Sequence, residues 1–220
     1  GAGNLTVNSG GTVTVTGAGA GPDVQTLTVS GGTLATGGTN FQAASAVVGA
    51  AVTVGAGGVF STVGAMTVNN GGSVSALAAT NGQITAGSGL TLNGTGTASV
   101  VNGALTVSSG GLTLNGSGTV GSSGTGSVTI TAGGLSWAGT ASSAVTLSGT
   151  GVLSVTGNYT QTALAHGAVT VGSGGVTVSG TLANYDTLQV TSGNLSVAGA
   201  GPHTNSGTIQ TVTSGTQGYG

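Results

Sequence analysis

Ten times along this chain an apolar–Thr–apolar tripeptide runs into small polar residues, meets glycine and resumes as a second alternating segment. Leu105-Thr106-Val107-Ser108-Ser109-Gly110-Gly111-Leu112-Thr113-Leu114 shows the phrase in full, and residues 169–178 repeat it. Copies begin at Leu5, Leu27, Val52, Met66, Leu90, Leu105, Val128, Val145, Val169 and Leu188, at an average spacing of about 20 residues. A period of that size marks stacked supersecondary units, each too small to bury a core alone. The chain is therefore expected to be all-β and without helices: one parallel β-helix, or β-solenoid, of about ten coils over residues 1–220. An antiparallel sandwich of hairpins stays open at this point, since two strands joined at glycine also describe a hairpin.

Within the phrase the first and third residues are apolar in every copy, while the second is Thr in nine copies and Gln189 in the tenth. Alternation of this kind puts one side in a core and the other outside it. Val107 and Val171 are thus expected inward, Thr106 and Thr170 outward. Trp137 falls in the inward slot shared by Leu114 and Val178. The seventh residue is glycine in eight copies (Gly11, Gly58, Gly72, Gly96, Gly111, Gly134, Gly151 and Gly175) and Asn194 in a ninth. Glycine replaced once by Asn suggests a turn position with positive φ, so that Gly111→Val should be harmful and Gly110→Ser milder.

A longer period overlies the short one. Val52, Leu90 and Val128 are 38 residues apart, and Leu27, Met66 and Leu105 are 39 apart. The steps inside that period, from Val52 to Met66 and from Leu90 to Leu105, look too short for a three-strand coil, so one long period reads as two coils. Three segments depart from the pattern: 17–26, 39–51 and 198–208. The segment 39–51 holds Phe41 and reads as an insertion or cap. The other two contain the only prolines, Pro22 and Pro202; lacking a donor, each belongs in a loop or at an edge, and both are candidate ends for assembly.

Composition narrows the functional classes. The chain has no Lys, no Arg and no Cys, and its only acids are Asp23 and Asp186. Nucleic-acid binding relies on Lys and Arg at phosphates, so it is not expected. Glycoside hydrolysis needs two facing carboxyl groups, whereas Asp23 and Asp186 should lie many coils apart. His166 and His203 are isolated and read as loop residues with rings in solvent, which leaves no metal or cofactor site in prospect. Catalytic residues are not expected either: no nucleophile elbow or phosphate loop stands in a strand-to-helix setting. No run of apolar residues is long enough for a membrane-spanning helix. Sequons begin at Asn4, Asn93, Asn115, Asn158 and Asn194, but turn or ladder roles explain Asn in a Thr-rich chain equally well. Ice binding would call for Thr at both the second and fourth positions of the phrase; only Thr129 with Thr131 supplies the pair.

Phrases such as Leu5-Thr6-Val7-Asn8-Ser9-Gly10-Gly11-Thr12-Val13 and Leu27-Thr28-Val29-Ser30-Gly31-Gly32-Thr33-Leu34 resemble those of bacterial autotransporter passenger domains and filamentous-haemagglutinin-type adhesins. The resemblance covers most of the chain and implies a secreted or cell-surface parallel β-helix with a role in adhesion, autoaggregation or coating. Unlike those families, this chain is almost uncharged, which favours a structural role over receptor binding. The expected function is accordingly a self-assembling fibre, sheath or surface layer whose main partner is itself. A monomeric adhesin is the alternative, and cell-surface or matrix polysaccharide is the other partner class.

Overall fold

Every strand pairing in the computed structural model is parallel, and the strands stack into a β-solenoid of about nine turns. The structure describes residues 3–16, 20–76, 81–138, 140, 142–212 and 217–219, with backbone alone for 20–22 and 217–219. No helix occurs among the described residues.

Each turn has three faces. The chain enters at Leu5–Val7 on face 1, crosses to Thr12–Thr14 on face 2, and reaches face 3 with residues 20–24. Ten strands stack on face 2, from Thr12–Thr14 to Thr208–Thr211. Steps between partners there range from 18 residues (Leu34 to Val52) to 25 (Val120 to Val145). At about 4.8 Å per step, nine steps make a rod about 43 Å long.

The reading of the long period as two coils is corrected by these pairings. Each coil has three strands, and ladder partners such as Leu5 and Leu27, or Leu90 and Leu112, stand one turn apart. The long period is five strand elements, which the steps from Val52 to Met66 and from Leu90 to Leu105 divide at two. The phrase accordingly visits all three faces: Leu90 lies on face 1, Val52 on face 2 and Val128 on face 3. Each strand-turn-strand unit is a corner, and one grammar serves every corner.

Alternation sets the register. On face 1 the inward positions Leu27, Ala46, Met66, Leu90, Leu112 and Leu135 pair in succession, and all are buried. Val107 and Val171 are fully buried, while Thr106 and Thr170 point outward and are half-buried. Trp137 does occupy the slot of Leu114, but Val178 belongs to face 3. Because the bore is narrow, Val, Leu, Ile and Ala fill nearly all of it. Burying each such side chain contributes roughly 1.5–3 kcal/mol for the larger aliphatics.

Segment 39–51 is neither insertion nor cap. Asn40–Val48 is a nine-residue strand that spans faces 3 and 1 without a break, and Phe41 packs on Phe60 of the next coil, with ring centroids 6.0 Å apart. Pro22 lies within the strand Ala20–Val29, where the register shifts between Ala20 and Asp23. It thus sits at a bulge, a position that spares its missing donor. Pro202 lies in the bend before Thr204–Asn205.

All nine phrase-seventh residues directly follow a turn or bend, but positive φ is not what most of them share. Only Gly111, Gly134 and Gly175 have it; Gly11, Gly58, Gly72, Gly96, Gly151 and Asn194 do not. In the hydrogen-bonded turns closed by Gly11 N to Asn8 O (2.9 Å), Gly58 N to Gly55 O (3.1 Å) and Gly72 N to Asn69 O (2.8 Å), positive φ falls one residue earlier, on Gly10, Gly57 and Gly71. That is the third position of a type II turn. The seventh glycines at 58, 72, 96 and 151 are needed for close approach instead: a Cβ there would overlap the carbonyl oxygens of Gly37, Val48, Val68 and Gly126 in the coil below. Nor is Gly110 the lenient member of its pair. It has φ +72° and a Cβ on it would strike the Ser88 carbonyl.

Candidate functional site

What the rod presents to its surroundings is three strips of small uncharged side chains. Face 1 carries the outward column Thr67, Thr91, Thr113, Ser136 and Thr160, and face 3 carries Ser61, Thr85, Thr106, Thr129, Ser154 and Thr177. Face 2 carries two outward columns, because its strands begin one residue before the first inward position. Thr12 and Thr14, Ser73 and Ser75, and Thr97 and Ser99 are its hydroxyl pairs. The second and fourth phrase positions do not show this pairing; it involves the residue preceding the first. Ala35, Ala51, Gly121, Ala144 and Ala168 interrupt the two columns.

Asparagines tie the coils together at the corners. Asn93 donates through Nδ2 to Asn69 Oδ1 (3.1 Å), and Asn115 donates in turn to Asn93 Oδ1 (3.2 Å), a ladder running parallel to the Thr column of face 1. Three others each accept from the backbone N–H of a Thr one coil on: Asn70 from Thr95 (3.1 Å), Asn102 from Thr125 (3.0 Å) and Asn158 from Thr181 (3.0 Å). Sequon positions Asn93, Asn115 and Asn158 therefore serve the structure as ladder or corner residues. Side-chain amides bonded from coil to coil in this way satisfy one another and the corner N–H groups rather than competing for the sheet ladder.

Groups with chemical potential are dispersed. Asp23 is exposed near the N-terminal end, and Asp186 follows Leu182–Asn184 near the other. His166 is exposed in the connection after Tyr159–Thr160. His203 departs from its expected place: its ring is turned to the ladder, and Nδ1 accepts the Leu182 N–H at 3.2 Å. Among the described residues no three of His, Cys, Asp and Glu come together as metal ligands. An open hollow of about 240 Å³ between two coils is lined by Asn81, Gln83, Asn102, Gly103 and Ala104, none of them ionisable.

One polar column enters the bore itself. The face 1 slot filled by Val68, Leu92, Leu114 and Trp137 continues as Gln161, Asn184 and Asn205. Trp137 closes the apolar run: its ring lies 5.2 Å from that of Tyr159 and its Nε1 donates to Ser143 O at 3.0 Å. Beyond it, Gln161 accepts from the N–H groups of Tyr185 (2.9 Å) and Asp186 (3.1 Å), and Asn184 donates to Asp186 O and Asn205 Oδ1, each at 2.9 Å. Tyr159 is fully buried, and burial, helped by the Asp186 carboxylate, pushes its phenol well above the usual tyrosine range. These amides satisfy irregular corners that the ladder leaves unpaired.

No protein-family model, curated protein or solved structure matches the chain. The parallel solenoid and the chemistry of its faces therefore carry the functional argument unaided.

Proposed function

We propose that this chain is a structural, non-enzymatic protein of the extracellular space or bacterial cell surface that associates with its own copies into a fibre, sheath or layer. The observation behind this reading is the uniformity of the three faces: columns of Thr, Ser, Ala and Asn with almost no charge on any of them. Charged side chains are the usual means by which β proteins keep edges and faces from pairing with neighbours, and this chain has no Lys or Arg for that task. Contact runs end to end, through the neighbourhoods of Pro22 and Pro202, where ladder groups lack a further partner coil.

Electron microscopy and sedimentation velocity on the purified chain test the proposal. Assemblies should form to the same extent between about 0.01 M and 1 M salt, since there is hardly any charge to screen. Gln25→Lys with Thr204→Lys, both on exposed positions near the two prolines, should shorten or abolish them. A wild-type chain that stays monomeric at high concentration would defeat the proposal and leave the monomeric adhesin in its place. The hydroxyl pairs of face 2 favour one further reading, ice binding, which a monomer with thermal hysteresis would establish.

A further inference from the structure

The bore of this rod does not have the same composition along its length. From Val29 to Trp137 the second inward slot of face 1 is apolar in every coil; from Gln161 onward it is an amide. The first slot of that face follows suit two coils later, where His203 takes the place held by Leu182. Polar groups in this stretch are also left short of partners: Tyr159 Oη and Asn184 Oδ1 are buried without a hydrogen bond. An unsatisfied buried polar atom weakens the packing around it.

The ladder thins at the same place. Residues 161–168 connect Tyr159–Thr160 to Val169–Val171 outside any strand, and the face 1 strands Tyr159–Thr160 and Thr204–Asn205 have two residues each. Midway along the rod, Leu90–Gly94, Thr97–Val101, Leu112–Gly116 and Thr119–Ser123 have five. In a solenoid each coil touches only its neighbours, so stability is close to a sum of coil and interface contributions, and a weak interface becomes a place to part.

We infer that the coils from Leu182 to Thr211 open as a unit of their own, separately from the body that runs from Leu27 to Trp137, with the boundary at Tyr159–Gln161. The body can stay folded while these coils open, because its apolar column is complete and ends on the Trp137–Tyr159 pair. Opening exposes the parallel edge formed by Val169–Val171 and Val176–Val178.

Native-state hydrogen exchange read by mass spectrometry after pepsin digestion tests the inference. In the wild-type chain, amides of Leu182–Asn184, Thr187–Val190 and Leu195–Val197 should share one exchange rate, at least about tenfold faster than amides of Leu90–Gly94 and Leu112–Gly116. Leu188→Ala removes a fully buried side chain of the unit and should speed the unit's exchange by about tenfold or more while leaving the body unchanged. Val120→Ala, buried in the body, should speed the body without slowing or hastening the unit's own opening. Equal rates throughout the wild-type chain, or acceleration of the body by Leu188→Ala to the same degree as the unit, would show a single cooperative rod and overturn the inference. Should either variant fail to fold, the wild-type comparison decides alone.

Discussion

Gly71 and Gly72 are neighbours that the fold requires for different reasons. Gly71 has φ +77° with open space where a Cβ would go, whereas Gly72 has no positive φ but its Cβ would overlap the Val48 carbonyl oxygen. Backbone preference at the first can be met by Asn, which tolerates the left-handed region; overlap with a ladder carbonyl at the second cannot be relieved by any side chain. Gly71→Asn should therefore cost about 1 kcal/mol or less, and Gly72→Ala about 2 kcal/mol or more. Guanidinium unfolding of the two variants measures the difference, and equal midpoints would refute the distinction. The pair of glycines was visible in the sequence, but the reason for the second was not. Its partner, Val48, lies a full coil earlier, and nothing local to Gly72 announces that contact.

At the scale of the strand, alternation proved sufficient. An inward Val107 and an outward Thr106 follow from the phrase alone, and the register Thr85–Thr106–Thr129 keeps the outward residue in a column of hydroxyls. Val107→Asp should prevent folding, because it places an unpaired carboxylate in a bore with no cation to meet it, while Thr106→Asp should leave the β-sheet circular dichroism intact and cost under about 1 kcal/mol. A folded Val107→Asp variant would reverse the assignment. What alternation could not reveal is how many strands make a coil. All three corners use the same strand-turn-strand phrase, so the sequence carries no mark that distinguishes face 1 from face 2, and a five-strand period passes for two coils. The buried polar column was hidden for a related reason: Gln161 and Asn184 become core residues only through register with Trp137, and neither stands in a copy of the phrase.

Across the whole molecule, the coil is the unit that can be removed. Ala98 and Val120 are ladder partners, so deleting residues 99–120 rejoins the chain one turn on with every remaining face in register. The shortened protein should fold to a rod about 4.8 Å shorter, seen by solution scattering, with unchanged sheet content. Deleting residues 99–109 alone joins face 2 to face 3 out of phase and should abolish the fold. If both deletions unfold the chain, or neither does, the rod is not modular in this sense.

The mismatch between a five-strand phrase period and a three-strand turn constrains how such a chain can lengthen. Val52, Leu90, Val128 and Val169 fall on faces 2, 1, 3 and 2 again, so the pattern returns to its starting face only after three units and five turns. A tandem duplication of one unit adds one and two-thirds turns and rotates everything after it onto a different side. Any feature that depended on facing one way would be carried out of line by a single duplication and realigned only by the third. A gene that grows by such steps gains length readily but keeps no privileged side, which suits a material whose every flank is interchangeable.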